Sequence, residues 1–357
     1  MFYRENGQFK STYTEDQQIL GIRQDRWFMF GLIAFAFGIM PFIASDYMFR
    51  AILIPFLIVA LAAIGLNLLV GYCGQISLGH AAFMAIGAYA AYNIVVHFPM
   101  LNFVVVLVLS GLVSALIGIL FGLPSLQIKG LYLGVATLAA QFFIDWVFAR
   151  VKWFTNYSPS GSVSTASIEM LGWKIDSPVE KYWFILAVVM VFTLTAKNLV
   201  RGHIGRSWMA MRDMDVAAEV IGIRPMYAKL TAFAVSAFYA GIAGAMWGFL
   251  HLGSWEPAAF SINFSLNLLF MIIIGGMGSI LGSYIGAAFI VLLPLTLNQM
   301  LLWLNKIGFS VGTAMASHLE FMIFGALIVF FLIVEPLGIA RLWAVAKEKL
   351  RLWPFPH

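Results

Sequence analysis

Charge is the scarcest commodity in this sequence. Only 10% of the 357 residues are Asp, Glu, Lys or Arg, and the mean hydropathy is +0.92. A soluble domain carries about a quarter charged residues. The chain therefore lacks the polar material to cover a water-facing surface. Its single cysteine, Cys73, excludes an internal disulfide and any multi-cysteine metal site. His80, His97, His251 and His318 show no ligand spacing, so no metal site is expected. There is no GxSxG, HExxH or CxxC arrangement, which removes the common hydrolytic and redox constellations. There is also no glycine-rich loop ending in Gly-Lys-Ser/Thr to cradle nucleotide phosphates, so any ATP must be bound by another polypeptide. The net charge of +5 is not a nucleic-acid signal, because the basic residues sit at the ends of apolar runs. The first 26 residues are polar and carry both signs of charge, so no cleavable signal peptide is expected. The first span would then serve as an uncleaved insertion signal.

What is present is apolar: 62% of the residues are hydrophobic, gathered in recurrent runs. Runs of about 17–25 apolar residues read as membrane-spanning helices rather than barrel strands. The expected fold is an all-α integral membrane protein with about ten transmembrane helices. The spans are expected near 27–45, 51–72, 80–96, 103–123, 131–149, 182–199, 227–250, 262–277, 283–304 and 319–334. Residues 1–26 are expected to form an N-terminal tail, 27–335 a ten-helix transmembrane domain, and 336–357 a C-terminal tail. Two longer connections stand out, 150–181 and 200–226.

The basic residues orient this arrangement. With both tails cytoplasmic, the inner segments hold 15 of the 21 Lys and Arg: four in the N-terminal tail, Lys129, six between 197 and 229, and four in the C-terminal tail. That bias puts 200–226 in the cytoplasm and 150–181 on the outer, periplasmic side. Spans two to five and seven to ten then run in opposite senses. This parity permits an inverted repeat, as in many transporters.

Ser207 to Arg224, in the inner 200–226 loop, concentrates the charge that the rest lacks. Arg206, Arg212, Asp213, Asp215, Glu219 and Arg224 fall within it or beside it. The stretch reads as one amphipathic helix capped by Ser207 and stopped by Gly222 and Pro225. Met209, Val216, Val220 and Ile223 would share one face, and Arg212, Asp215 and Glu219 another, spaced to pair. Such a helix offers a docking surface to a soluble partner; the alternative is a loop lying in the membrane interface. Mixed charge and defined stops favour docking.

At membrane depth the unusual segment is Gly71 to His80, which suggests a broken or re-entrant helix near 71–80. Glycine permits backbone shapes that a regular helix forbids, and freed backbone groups are tolerated there only beside protein or a watery cavity. Gly74, Gln75, Ser77, Gly79 and His80 are candidate pathway residues; the alternative is a tight turn at the surface. Thr137, Gln141 and Asp145 form a polar stripe on span five, facing the bundle interior or, for Asp145, reaching Arg150; Thr137 and Gln141 are further candidate pathway residues. Asn67 is either a pathway residue or glue between helices. Gly275, Gly276, Gly278 and Gly282 read as a close helix-packing site.

These same stretches resemble a family. Gly65 to Tyr89, Gly130 to Leu138, Gly205 to Gly222 with Lys229 to Gly244, and Gly275 to Gly282 are together similar to the blocks of permease subunits of branched-chain amino acid ABC importers, in the LivM-like branch. The resemblance implies a heterodimer with a second related permease subunit, two cytoplasmic ATPase subunits and a periplasmic substrate-binding protein. It implies no cofactor on this chain, with ATP and Mg held by the partner ATPases, and a multi-pass location in the bacterial inner membrane. Arg206, Arg212, Asp215, Ala217, Ala218, Glu219 and Gly222 would then contribute to the ATPase-coupling element. Where the family commonly has Thr-Gly-Gly in the outer loop, this chain has Tyr157-Ser-Pro-Ser-Gly161, and the substrate could be an amino acid, urea, an amide or another small solute. An ion-coupled transporter is the other reading, disfavoured because mid-span positions are almost free of charge.

Overall fold

A computed structural model describes residues 11–12, 23–126, 128, 130–158, 162–165, 169–170, 173–306, 313–334 and 338–352. Most of the N-terminal tail and Lys129 lie outside the described residues. The chain is an all-α membrane protein. Among the described residues, eight helices are long and apolar enough to cross a bilayer. They are α1 (Asp25–Ile43), α2 (Asp46–Tyr72), α4 (Phe103–Gly122), α5 (within Leu131–Arg150), α6 (Pro178–Arg201), α9 (Pro225–Leu252), α10 (within Pro257–Gly275) and α11 (within Ile280–Lys306). The apolar helices α3 (His80–His97) and α12 (Thr313–Val334) fall at two further expected spans but are not among these eight. Three more helices lie between or after spans: α7 (His203–Asp213), α8 (Asp215–Val220) and α13 (Gly338–Leu352).

The core is built on α2 and α9, whose side chains are buried along most of their length. Small residues let the central helices touch backbone to backbone. Gly87 of α3 stands against the backbone of Gly241 of α9 with no room for a Cβ, and a Cβ on Gly241 would in turn strike Ser114 of α4. α1 is peripheral, with none of its residues buried in the bundle. It is held where a π-turn at Phe35–Ile39 disturbs its ladder: the Tyr182 hydroxyl donates to Ala36 O at 3.0 Å and the Trp183 indole to Phe37 O at 3.2 Å.

Two helices break, and they break in the same way. α2 ends in a π-turn at Leu68–Tyr72, followed by Gly74 at φ 72°. α9 ends in a π-turn at Trp247–Leu252, followed by Gly253 at φ 72°. Both glycines adopt a left-handed backbone that other residues resist. After each break a new helix starts, α3 at His80 and α10 at Ile262. The α-helical part of α10, Ile262–Gly275, has 14 residues and rises about 21 Å; the 3₁₀ turn Pro257–Phe260 before it completes the 19-residue apolar span. The two breaks lie at opposite ends of the bundle, which is the sense of an inverted repeat.

α9 relates those ends. Its first residue follows the α7–α8 loop, and its last adjoins β4 (Ser254–Trp255), which pairs antiparallel with β1 (Val163–Ser164). The 150–181 connection thus sits at the far end from α7 and α8. The near end also receives both terminal segments: Lys347 Nζ lies 3.2 Å from Asp25 Oδ2, and Gly338 closes against Gly276 with a would-be Cβ 2.6 Å from its nitrogen. The described parts of both tails and the charged loop therefore share one face.

Candidate functional site

The charged stretch departs from its expected form. It is two helices, not one. α7 begins at His203 after Gly202, and Ser207 lies inside it, donating back to His203 O at 3.0 Å rather than capping its start. The chain turns extended at Met214 (φ −161°, ψ 95°), and Asp215 Oδ1 accepts from the Val216 amide at 2.9 Å, a local bond that competes with helix continuation. α8 then ends in a Schellman closure: Ile223 N–H donates to Ala218 O at 3.0 Å and Gly222 N–H to Glu219 O at 2.9 Å, with Gly222 at φ 92°. The Gly222 stop is therefore as read from sequence.

The break resets the helical phase, so the expected faces do not align. Trp208, Met211 and Ala218 face the bundle, whereas Val216 and Val220 are 66% and 84% exposed. Glu219, Arg206, Ala217 and Gly222 are exposed as well, and Asp215 is half-buried. The face that presents Glu219, Gly222 and Arg224 borders an open groove of about 590 Å³. Trp208, which sequence reasoning passed over, is the anchor. It is fully buried, and its indole donates to Thr231 Oγ1 of α9 at 3.1 Å. The signal available was a lone large aromatic among charges, three residues from Gly205 and Met211, which are buried beside it.

Arg212 turns inward rather than along its helix to Asp215. Its Nη1 donates to Gly71 O at 2.9 Å, and its Nε to Asp213 Oδ1 at 2.9 Å. Its side chain also lies over Gly74 and faces Gly278. A cleft of about 280 Å³ opens here, lined by Gly74 and Gln75 on one side and by Met211 to Asp215 on the other. Three stretches distant in sequence therefore meet at one guanidinium: the 71–80 break, the charged loop and the Gly275–Gly282 turn.

Asn67 completes that junction. Its Nδ2 donates to Ser279 O at 2.8 Å and Ser283 Oγ at 2.9 Å, and its Oδ1 accepts from Gly278 N at 2.8 Å. It is fully buried and spent on the protein, in the manner of glue between helices. Within the glycine block, Gly275 packs against the backbone of Gly282, as small-residue packing requires. Gly276 (φ 127°) and Gly278 (φ 75°) instead make the turn.

The far side of the 71–80 break is held by the polar stripe on α5. Thr137 Oγ1 accepts from Leu78 N at 2.9 Å. Gln141 Oε1 accepts from Ala82 N at 2.7 Å and from Ser265 Oγ at 3.0 Å, while Nε2 donates to Phe260 O at 2.8 Å. Ser265 Oγ in turn accepts from Ala81 N at 2.8 Å. The first amides of a helix have no partner within it. Here side chains from α5 and α10 satisfy them, which lets α3 begin inside the bundle. Gln141 grips both halves at once, the start of α3 and the 3₁₀ turn before α10. Asp145 accepts from Gln141 Nε2 at 3.1 Å. Ser77 and His80 are fully buried, and neither Ser77 Oγ nor either ring nitrogen of His80 has a protein partner. Gly79 sits against Thr137 O with no space for a side chain.

Comparison with known proteins adds the following. A family model described as branched-chain amino acid transport system / permease component matches residues 48–332. The high-affinity branched-chain amino acid transport system permease protein LivM of Salmonella typhimurium is 31% identical over 246 residues, 62% of this chain and 57% of its own length. Its counterpart in Escherichia coli is 29% identical over the same span. A probable branched-chain amino acid transport permease protein LivM of Methanocaldococcus jannaschii is 21% identical over 325 residues, 81% of this chain and 92% of its own length. The match spans little more than half the length of the two bacterial relatives. No solved structure matches.

Proposed function

Since the chain belongs to the branched-chain amino acid transport permease family, we propose that it is the membrane subunit of an ATP-driven importer for branched-chain or related amino acids. In this reading it pairs with a second related permease subunit and takes substrate from a periplasmic binding protein. Two cytoplasmic ATPases, carrying ATP and Mg, grip the α7–α8 face. The multi-pass chain would sit in the bacterial inner membrane with both tails cytoplasmic, as its Lys and Arg bias supports.

The observation that carries the reading is the contact from Arg212 to Gly71. A partner that moves α7 moves a guanidinium bonded to the last turn before a helix break. Trp208 makes α7 a lever hinged on α9 rather than a loose loop. The break is bonded on its other side by Thr137 and Gln141, so a displacement of Gly71 loads the start of α3. Closure of the ATPases can bias this equilibrium only by the difference between their contacts with α7–α8 in the two states. Ser77 and His80, whose polar atoms the protein leaves unmet, are the groups assigned to the pathway beside Gln75.

Co-purification from native membranes, followed by a substrate-stimulated ATPase assay, tests the proposal. An ATPase should accompany the chain and respond to a branched-chain amino acid. Recovery of the chain without an ATPase, or uptake that survives ATP depletion while an ion gradient persists, would overturn it. A response to urea or an amide instead would keep the machine and change its cargo.

A further inference from the structure

Helix α13 plays no part in the coupling contacts. At helical spacing its sequence puts Ile339, Leu342, Trp343, Ala346 and Leu350 on one side and Arg341, Lys347, Glu348 and Arg351 on the other. With Lys349 on the flank, the helix carries four cations and one carboxylate; Asp25 takes Lys347, which leaves an excess of two positive charges. Its height relative to the bundle is fixed at three points. Only residues 335–337 separate it from the end of span α12 at Val334, so it starts at the membrane surface. Gly338 is held against the end of α10, where a Cβ would stand 2.6 Å from Gly276 N and 2.8 Å from Ile274 O. Further along, Lys347 reaches Asp25 at the head of span α1.

The surroundings mark the same level. Trp27 and Phe28, next to Asp25, are 74% and 70% exposed, as aromatic residues are where a span meets the headgroups. On the apolar side of α13, Leu342 and Trp343 remain 48% and 55% exposed. An amphipathic helix at the membrane surface, with an uncovered aromatic and aliphatic side and an excess of cations, matches the chemistry of an interfacial helix on anionic lipid.

We propose that α13 lies in the headgroup layer on the coupling face, with Leu342 and Trp343 in the acyl boundary and its cations on anionic lipid headgroups. The occupant of its apolar side is lipid, because the charge excess and the membrane level both complement an anionic leaflet.

The test uses the full chain in vesicles, spin-labelled at Leu342→Cys or, on the polar side, at Ala344→Cys. Cys73 is buried and resists labelling. Vesicles of phosphatidylcholine alone are compared with vesicles holding about a third phosphatidylglycerol. The label at 342 should be open to oxygen and shielded from a water-soluble nickel chelate by at least about threefold relative to 344. Phosphatidylglycerol should deepen it, and Lys349→Glu with Arg351→Glu should cancel that deepening. Equal access of nickel at both sites, or no response to phosphatidylglycerol, would overturn the proposal. Shielding of 342 from both oxygen and nickel would also overturn it, by showing a protein partner in place of lipid. The measurement needs no transport activity, so its outcome is independent of the importer reading.

Discussion

Arg212→Ala removes a side chain that joins α7 to the broken helix α2. The lost bond is a charged donor on a backbone carbonyl, Nη1 to Gly71 O at 2.9 Å. Such bonds contribute about 1.5–3 kcal/mol when well buried. The Arg212 side chain is 37% exposed, and solvent screening lowers this to about 1–1.5 kcal/mol. At 1.36 kcal/mol per factor of ten, that is roughly a five- to tenfold change in the equilibrium the lever controls. The assay is uptake per ATP hydrolysed in proteoliposomes containing the partner subunits. Uptake per ATP should fall roughly five- to tenfold while hydrolysis persists, since the proposed importer carries its ATP site on another chain. Arg212→Lys should recover part of the loss, because one ammonium can reach one of the two acceptors but not both. An unchanged ratio in Arg212→Ala would refute the reasoning. So would an equal fall of hydrolysis and uptake in an intact assembly.

Three other substitutions probe the supports of that lever. Gly71→Ala drives a methyl into Gly278 N and Asn67 Oδ1; a loss above about 3 kcal/mol is expected, read as failure to recover folded protein, and a normal yield and melting temperature would contradict it. Trp208→Phe keeps most of the buried ring but loses the bond to Thr231, and should cost about 1 kcal/mol. Trp208→Ala should cost about 3–5 kcal/mol, so equal melting temperatures for the two variants would disprove the anchor. Gln141→Met leaves Phe260 O and the Ser265 hydroxyl without their Gln141 bonds inside the bundle and Ala82 N with only Gly79 O at 3.2 Å; uptake should fall at least about tenfold at normal expression, and full uptake would remove Gln141 from the break.

Much of this architecture was legible in the sequence. Among the described residues, eight of the ten apolar runs form helices long and apolar enough to cross, because in lipid each run must satisfy its own backbone. The 71–80 break was legible from its glycines and polar side chains. Asn67 was legible as glue between helices but not by partner, since its acceptors on 276–283 lie more than 200 positions away. The single amphipathic helix over 207–224 was a misreading, because periodicity alone does not register one extended residue, here Met214. That break carries the exposed faces of α7 and α8 out of phase, and it also frees Arg212 to turn toward Gly71. The pairing of Val163 with Trp255 was invisible for a similar reason: two-residue strands have no period to read. The second break, at Gly253, has no sequence signal of its own: Trp247–Leu252 is largely apolar and helical in pattern, and its π-turn and left-handed glycine, matching those at Gly74, show only in the structure.

The central claim is that a separate ATPase grips α8 and moves the break through Arg212. A photo-crosslinking residue at position 220, whose side chain is 84% exposed at the end of α8, tests it in native membranes. The account predicts an adduct with a cytoplasmic ATPase subunit whose yield changes between nucleotide-free and ATP-trapped states. Adducts with lipid alone, or with a periplasmic protein, would contradict it.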